Sequence, residues 1–446
     1  MHFANAGPAS NATTTMGMGA ADPPLAADQL DVTFTEDALG KLASLFALHG
    51  DAFRVYSPAL QRDLLVFSHP DHAKHVLVTN HANYTKGIGI ERVRILLGNG
   101  IMASEGELWR AQRKMVQPTF HRTVIASMFE HMHHANLRLA QRWLQAANSK
   151  QAVNLTQDMS EVTLEIVLRA LFGDRFAALI RGNSNPFAVL TDDTERNLAF
   201  AYKFRALSRL VMDEINERRR IDFHGQDIAS LLLAARDRRT GAPMPDRQLL
   251  DEIMTLIVAG HETTASALNW TWYLLSQHPE AENRLHAELD ALDTSEPGVE
   301  DVARLTYTRQ VIEETMRLYP PGWLLTRRSI ASDVVGGYAV APNTDVLVSP
   351  YLIHRHPEWW PEPDRFDPDR FAVTATLSRN RFAYLPFGLG PRACIGEPFA
   401  LVEMQLHIAV LARRFRLELD PREPIELEPQ VNLRTRHPLF FHLRAR

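Results

Sequence analysis

The fold of this chain is decided by one short stretch, Phe387-Gly388-Leu389-Gly390-Pro391-Arg392-Ala393-Cys394-Ile395-Gly396. Two glycines and a proline favour a tight, non-helical loop before the cysteine. An apolar helix is predicted to begin directly after the loop, from Pro398 to about Arg413. Its N-terminus would offer free backbone N–H groups and the positive end of a dipole, and both favour a thiolate. The stretch therefore predicts a sulfur that can bind a metal.

Cys394 is the only cysteine among the 446 residues. This count excludes an intramolecular disulfide framework, cysteine-rich zinc modules and iron–sulfur clusters held by cysteines. A lone cysteine is often just a small buried apolar residue, so its surroundings must decide its role. A rival interpretation takes Gly388 to Ala393 as the dinucleotide-binding pattern G-x-G-x-x-A. That pattern opens a helix inside a βαβ unit, whereas the predicted helix here begins later.

The longest predicted helix extends from Asp246 to His278, where Pro279 stops it, which corresponds to ~50 Å. Its interior is apolar except for one polar island, His261-Glu262-Thr263-Thr264. Polar groups inside a buried helix are costly unless they are satisfied, so the island predicts a function. It begins like the zinc-protease pattern H-E-x-x-H, but Ala265 stands where the second ligand belongs.

Small residues precede the reactive part of this island. Ala259 and Gly260 leave no bulky side chain beside the helix. The Thr263 hydroxyl can bond back to the carbonyl four residues earlier, which loosens the helix locally and makes room for water. Glu262 supplies a titratable carboxylate for proton delivery.

The two segments together resemble the cytochromes P450. The cysteine stretch matches the haem-binding loop of that family, Phe-x-x-Gly-x-Arg-x-Cys-x-Gly, at every fixed position, and residues 259–264 match its oxygen-activation motif, Ala-Gly-x-Asp/Glu-Thr-Thr/Ser. The resemblance implies haem b with Cys394 as the axial thiolate, Phe387 packed beside the sulfur and Arg392 paired with a propionate. It further implies that dioxygen fits beside Ala259 and Gly260, and that Thr263 and Glu262 deliver the protons for its activation.

Three weaker motif matches occur at the places expected for the family, and the first two concern the haem propionates. Trp109 and Arg113 share one helix face at i, i+4, and the resemblance makes both of them donors to a propionate. Arg327 is the candidate for the remaining propionate contact, with Arg328 as the alternative.

Glu314 and Arg317 form a Glu-x-x-Arg pair, a pattern that by itself has little value because most such pairs are surface salt bridges. By resemblance they form a buried triad with Arg370 that braces the cysteine loop.

The remaining pattern predicts a mostly α fold with a small β-rich region, built around the long helix. We expect extended segments at Phe53 to Tyr56, Leu64 to Ser68, Val334 to Val340, Asp345 to Tyr351, and Val431 to Leu443. Residues 1–28 contain no charged n-region and no apolar run, which predicts a disordered tail rather than a signal peptide. Residues 29–446 are expected to form a single domain.

The net charge of −5 offers no case for a nucleic-acid partner. No apolar run reaches the length of a membrane span, so we expect no integral anchor and a cytoplasmic location. Electrons are expected from a separate ferredoxin or flavodoxin-type donor, which would dock near Arg110, Lys114 and Arg413.

The expected reaction inserts one oxygen atom into a lipophilic small molecule. The resemblance implies that four mostly apolar segments line the substrate pocket: Ile88 to Ile101, the upper face of Ile253 to Ala259, Gly322 to Leu325, and Val431 to Arg434. Two other interpretations stay open, a haem enzyme that uses peroxide and a haem sensor without turnover. The Glu262–Thr263 pair would be superfluous in both.

Overall fold

A computed structural model describes residues 20–32, 37–180, 185–192, 198–294 and 296–446. The helices are α1 (Ala38–His49), α2 (Pro70–Lys74), α3 (Ile90–Leu97), α4 (Gly106–Val116), α5 (Arg122–Ser149), α6 (Leu155–Phe172), α7 (Phe176–Leu179), α8 (Val189–Asp192), α9 (Leu198–Arg220), α10 (Ile228–Ala234), α11 (Asp246–Gln277), α12 (Pro279–Asp290), α13 (Val299–Arg304), α14 (Thr306–Leu318), α15 (Pro350–Ile353), α16 (Val373–Ser378) and α17 (Glu397–Ala412). The strands are β1 (Leu25–Gln29), β2 (Ala52–Ser57), β3 (Arg62–Phe67), β4 (Tyr84–Lys86), β5 (Val153–Asn154), β6 (Leu325–Ser329), β7 (Asp333–Val335), β8 (Tyr338–Val340), β9 (Asp345–Val348), β10 (Phe415–Asp420), β11 (Leu427–Pro429), β12 (Leu433–Thr435) and β13 (Phe440–Ala445).

The helical part of the molecule is built around α11. This helix packs along α6, and α14 and α17 pack against it and against each other, while α17 also lies along α5. Twelve of the sixteen residues of α17 are buried, and most of these are apolar, as expected for a helix in the interior. The predicted bounds of the long helix are confirmed within one residue, although Pro245 rather than Asp246 occupies its N-cap. The predicted class, mostly α with a small β region, is confirmed.

The main sheet has six strands in the order β1-β2-β3-β9-β6-β4. The extended segments predicted at Phe53 to Tyr56 and Leu64 to Ser68 are confirmed, and they form a hairpin in which β2 and β3 pair antiparallel with Phe53 opposite Val66. The segment predicted from Val334 to Val340 is instead a tight hairpin, because Gly336 and Gly337 both take positive φ between β7 and β8. Strand β6 lies between β9 and β4 in this sheet.

The predicted disordered tail is only partly within the described residues. Residues 1–19 lie outside them. Leu25–Gln29 forms β1, which pairs with β2 and buries Ala26, so the prediction of disorder up to residue 28 is wrong at its C-terminal end. The sequence of residues 1–28 predicts disorder because no local periodic pattern marks a strand there. The strand β1 forms only by pairing with β2, which lies more than twenty residues further along the chain.

Candidate active site

A cavity of about 1520 Å³ lies between α11 and the loop that precedes α17. Its wall includes all of the residues predicted for the site: Thr263, Glu262, Trp109, Arg113, Arg327, Phe387, Arg392, Ala259, Gly260 and Cys394. The fold therefore gathers segments from four widely separated parts of the chain around one space.

The expected pocket-lining segments reach this cavity only in part. Most apolar residues between Ile88 and Ile101 line it, as do all residues from Gly322 to Leu325. Of Val431 to Arg434 only Val431 lines it, and on α11 the residues Ile253, Met254 and Ile257 are buried against neighbouring elements instead. For these positions the pocket prediction is wrong. Along α11 the lining begins at Thr255, where the helix face first turns towards the cavity.

The cysteine loop is a compact backbone structure. The N–H of Cys394 donates to the carbonyl of Phe387 at 2.8 Å, which closes the loop directly onto its first residue. Gly390 has a φ of 71°, and a Cβ there would collide with the carbonyl of Leu77. Only glycine therefore fits at this position, since it tolerates both the left-handed backbone and the close approach.

The thiol of Cys394 is exposed to the open space of the cavity, although protein atoms surround it on its other sides. Burial raises the pKa of Cys394, because a thiolate loses solvation there. The backbone N–H of Gly396 and the guanidinium of Arg113 act in the opposite direction, since both stabilise a negative sulfur. The backbone donor at Gly396 is of the kind that the sequence predicts at the start of α17, whereas Arg113 on α4 was predicted only as a propionate donor.

Three residues of the polar island, Glu262, Thr263 and Thr264, line the cavity, whereas His261 is fully buried on another side of α11. The Thr263 hydroxyl donates to the carbonyl of Ala259 at 2.9 Å, and the Thr264 hydroxyl donates to that of Gly260 at 3.2 Å. Both carbonyls thus gain a side-chain donor in addition to the helical N–H, as expected for a locally loosened turn. A Cβ on Gly260 would lie 2.7 Å from Val167, so this glycine also allows α6 to approach closely.

Positive charge is concentrated at one end of the cavity. Arg392 forms an ion pair with Glu105, and its guanidinium lies 4.6 Å from the centre of the Trp109 ring. Arg113 donates to the carbonyl of Ala393 at 2.8 Å, next to the cysteine. The Nη1 atom of Arg392 is buried and has no hydrogen-bond partner among the described residues.

Arg327 points into the same end of the cavity. Burial and, to a smaller extent, the positive charge of Arg392 together lower its pKa to about 10. Its neighbour Arg328 forms an ion pair with the buried Asp345 at 2.9 Å and does not line the cavity. Successive side chains of a strand point to opposite faces. This alternation on β6 separates the two candidates and leaves Arg327 as the one that can reach a bound group.

Lys86 is a residue of this cluster that the sequence analysis missed. It pairs with Arg327 across β4 and β6, and its ammonium donates to the carbonyls of Ile101 and Ser104 at 3.0 and 2.9 Å. Burial lowers its pKa to about 7, and repulsion by Arg392 adds to the effect. No local motif marks Lys86, because only the pairing of the two strands brings it to the cavity.

These residues fit a haem group. A sulfur and small residues face each other across the cavity, and the rest of the wall is largely apolar. The two propionates of a haem would neutralise the clustered cations, of which only Arg392 has a carboxylate partner in this cluster. The buried, unpartnered Nη1 of Arg392 is a donor that a propionate oxygen can satisfy.

The predicted triad lies beneath the cysteine loop. Glu314 and Arg317 are fully buried and form a bidentate ion pair at 2.6 and 2.8 Å. Arg370 approaches Glu314 at 3.5 Å, so all three predicted members are in proximity. Burial raises the pKa of Glu314, while the hydrogen bonds from Arg317 oppose this shift.

His354 connects this pair to the cysteine loop and was not predicted from the sequence. Its Nε2 accepts the N–H of Leu385 at 2.9 Å, and its Nδ1 lies 3.2 Å from the carbonyl of Arg317. Burial lowers its pKa well below the usual range, so the ring is neutral with the proton on Nδ1. Because Leu385 lies two residues before Phe387, His354 connects the Glu314–Arg317 pair to the start of the cysteine loop.

The chain is similar to known proteins over nearly its whole length. The family model "Cytochrome P450" matches residues 27–210 and 203–442. Cyclooctatin synthase of Streptomyces melanosporofaciens is 36% identical over 411 residues, covering 88% of both chains. Cyclooctat-9-en-7-ol 5-monooxygenase of the same organism is 36% identical over 404 residues, covering 85% of both. Carotene epsilon-monooxygenase of Arabidopsis thaliana is 30% identical over 422 residues, covering 86% of this chain and 78% of the relative.

The fold agrees with these relatives. The crystal structure of the cytochrome P450DA heme domain superposes with a TM-score of 0.84 at 24% identity, covering 96% of this chain and 98% of that one. Among the described residues, no helix is both long and apolar enough to cross a membrane. The match over nearly the whole chain confirms the family that the two sequence motifs indicate: this protein belongs to the cytochrome P450 family.

Proposed function

We propose that this P450 monooxygenase hydroxylates or epoxidises a lipophilic small molecule of terpenoid, fatty acid or polyketide type, with haem b held by Cys394. One observation carries the proposal: the Cys394 thiol and the Thr263 turn of α11 line the same cavity. A haem bound there supplies the redox chemistry that activates dioxygen. The protein must then position the substrate, exclude water and deliver protons.

Proton delivery is assigned to two neighbouring residues of α11. The Thr263 hydroxyl donates to the carbonyl of Ala259, so the lone pairs of its oxygen can accept a hydrogen bond from a donor in the cavity. Glu262 lines the cavity and can exchange protons with water. Glu262 would thus supply protons, and Thr263 would pass them to the reacting oxygen when its O–H turns from the Ala259 carbonyl towards the cavity.

The substrate class is inferred from the cavity wall and from the relatives. Most of the wall is apolar, with side chains from α3, α11 and residues 322–325 among those that form it, and this favours a lipophilic compound. Three relatives carry names that refer to cyclooctatin, cyclooctat-9-en-7-ol and carotene. We therefore place terpenoids first among the candidate substrates.

A separate ferredoxin or flavodoxin-type protein is proposed as the electron donor. Arg110 and Lys114 lie on α4 and line a second cavity of about 660 Å³, together with Arg236, Arg238 and Arg239. The positive charge of this cleft would attract an acidic partner. Arg413 does not contribute to it, because its guanidinium donates to the carbonyls of Thr294 and Leu292.

We further propose that residues 29–446 work as one domain in the cytoplasm.

The test is the coupling of reductant to product. A terpenoid panel is first screened for compounds that shift the iron from low to high spin, since this shift reports substrate binding. With such a compound, Thr263→Ala should still consume reductant and oxygen, but it should form less product and more hydrogen peroxide. Unchanged coupling would remove Thr263 from the mechanism. A wild type that forms product from added peroxide but not from reductant and oxygen would favour the peroxide-using alternative.

A further inference from the structure

The turn between β11 and β12 lies between two walls of the cavity. Gln430 and Val431 line the cavity, and the Trp323 indole donates to the carbonyl of Gln430 at 2.9 Å. On the other side, the Asn432 amide donates to the carbonyl of Glu262 at 3.0 Å. The same three-residue turn therefore contacts the proposed substrate wall and the proposed proton-delivery turn.

The contact between this turn and α11 continues along β12. The carbonyl of Leu433 accepts the Ser266 hydroxyl at 2.6 Å and the Trp270 indole N–H at 3.2 Å. Asn432 is 8% exposed and Leu433 is fully buried. Hydrogen bonds in such surroundings are well defined, because a buried donor left without a partner is costly.

The Glu262 carbonyl lies where α11 needs external support. The hydroxyls of Thr263 and Thr264 both donate back to the carbonyls of the preceding turn, which weakens the regular helical pattern there. A loosened turn has more freedom to shift along or around the helix axis. The Asn432 amide fixes one atom of this turn from outside the helix, and that atom belongs to Glu262 itself.

We propose that Asn432 is a positioning residue for proton delivery, and that it links the cavity-lining turn at Gln430 and Val431 to the turn of α11 that carries Glu262 and Thr263. The inference rests on the proposed function, because it assumes that this turn delivers protons. A substrate that presses on Val431 would thereby influence the position of Glu262. Substrate binding and proton delivery are then connected through one side chain.

The test compares two Asn432 variants with a matched control. Asn432→Asp keeps the shape but has no N–H to donate, and Asn432→Leu keeps a similar volume without polar atoms. Thr435→Val is the control, since it removes the 3.3 Å bond from Asn269 to Thr435 on the same strand, further from Glu262. Each variant is checked for haem content and for the spin shift with the same terpenoid used for the wild type.

Both Asn432 variants should keep haem and the spin shift while the ratio of product to peroxide falls about three- to tenfold, the effect of one lost hydrogen bond. The solvent deuterium isotope effect on product formation should also rise, which a purely structural change would not produce. Thr435→Val should behave as the wild type in both measurements.

Thr263→Ala is measured alongside, because it distinguishes failure of the Asn432 inference from failure of the proposed function. If Thr263→Ala loses coupling and both Asn432 variants keep it, the inference is overturned and the proposed function stands. If Thr263→Ala keeps coupling, the proton-delivery role fails and the inference falls with it. Equal loss in Thr435→Val, or loss of haem from both Asn432 variants, would reduce Asn432 to a structural residue.

Discussion

Replacing Glu314 with alanine removes the carboxylate that pairs with Arg317 in the protein interior. Both side chains are 0% exposed, so no water can replace the lost partner. Two nitrogens of the guanidinium, Nε and Nη2, lose their carboxylate oxygens. The backbone N–H of Asp367 also loses its acceptor, because it donates to Glu314 at 2.9 Å. The substitution therefore strands a buried charge and a buried amide together.

The magnitude follows from this burial. Breaking a buried pair by removing one partner costs about 3 to 5 kcal/mol, since an uncompensated charge stays behind. The carbonyls of His354, Pro363 and Arg365 continue to accept from Arg317 and keep the loss near this range. A typical domain has only about 5 to 15 kcal/mol of stability in total. Glu314→Ala should therefore yield protein that is largely insoluble or free of haem.

The assay is urea unfolding followed by circular dichroism, with haem content measured on the same samples. The chain offers a matched control in Glu217, which forms a Glu-x-x-Arg pair with Arg220 at 2.7 Å on the surface of α9. Glu217→Ala should leave stability and haem content unchanged, because water replaces the partner. If Glu314→Ala unfolded within about 1 kcal/mol of the wild type and kept its haem, the burial argument would be refuted.

Three further predictions concern haem retention, pH and turnover. Arg327→Leu should speed the transfer of haem to an apoglobin acceptor, because a propionate loses its donor; an unchanged transfer rate would exclude that contact. Burial lowers the pKa of His407 to about 3. Between pH 6.5 and 3, therefore, the imidazole takes up a proton only in the unfolded state, and the free energy of unfolding falls as the pH falls through this range. Between pH 7 and 5, His407→Gln should therefore lose about 2 kcal/mol less unfolding free energy than the wild type, and equal losses would contradict the assignment. Glu262→Gln should keep the haem spectrum but slow turnover in steady-state assays, since an amide cannot carry a proton, and a normal rate would remove Glu262 from the proton path.

Local patterns made much of this site predictable. The loop before Cys394 and the island around Thr263 each have their chemistry within ten consecutive residues, where spacing alone determines which groups face together. The long helix was predictable for the same reason, because its apolar run ends at Pro279. The pair of Glu314 and Arg317 shows the limit of such patterns. The same Glu-x-x-Arg spacing occurs at Glu217 on the surface, and only burial distinguishes the two.

Contacts between distant segments could not be predicted. Lys86 reaches the cavity only because β4 pairs with β6, and His354 reaches the cysteine loop only because its ring lies between Arg317 and Leu385. Neither residue belongs to a periodic or spaced pattern. The choice between Arg327 and Arg328 likewise required the register of β6, since one residue along a strand exchanges the two faces.

The most direct test of the account is the absorption spectrum of the protein after reduction with dithionite and addition of carbon monoxide. The geometry places the Cys394 thiol in the cavity beside the donors at the start of α17. The wild type should then show the strongly red-shifted Soret band of a thiolate-ligated haem, and Cys394→Ala should lose it. A spectrum typical of histidine ligation in freshly purified wild type, or an unchanged band in Cys394→Ala, would contradict the assignment of Cys394 as the ligand.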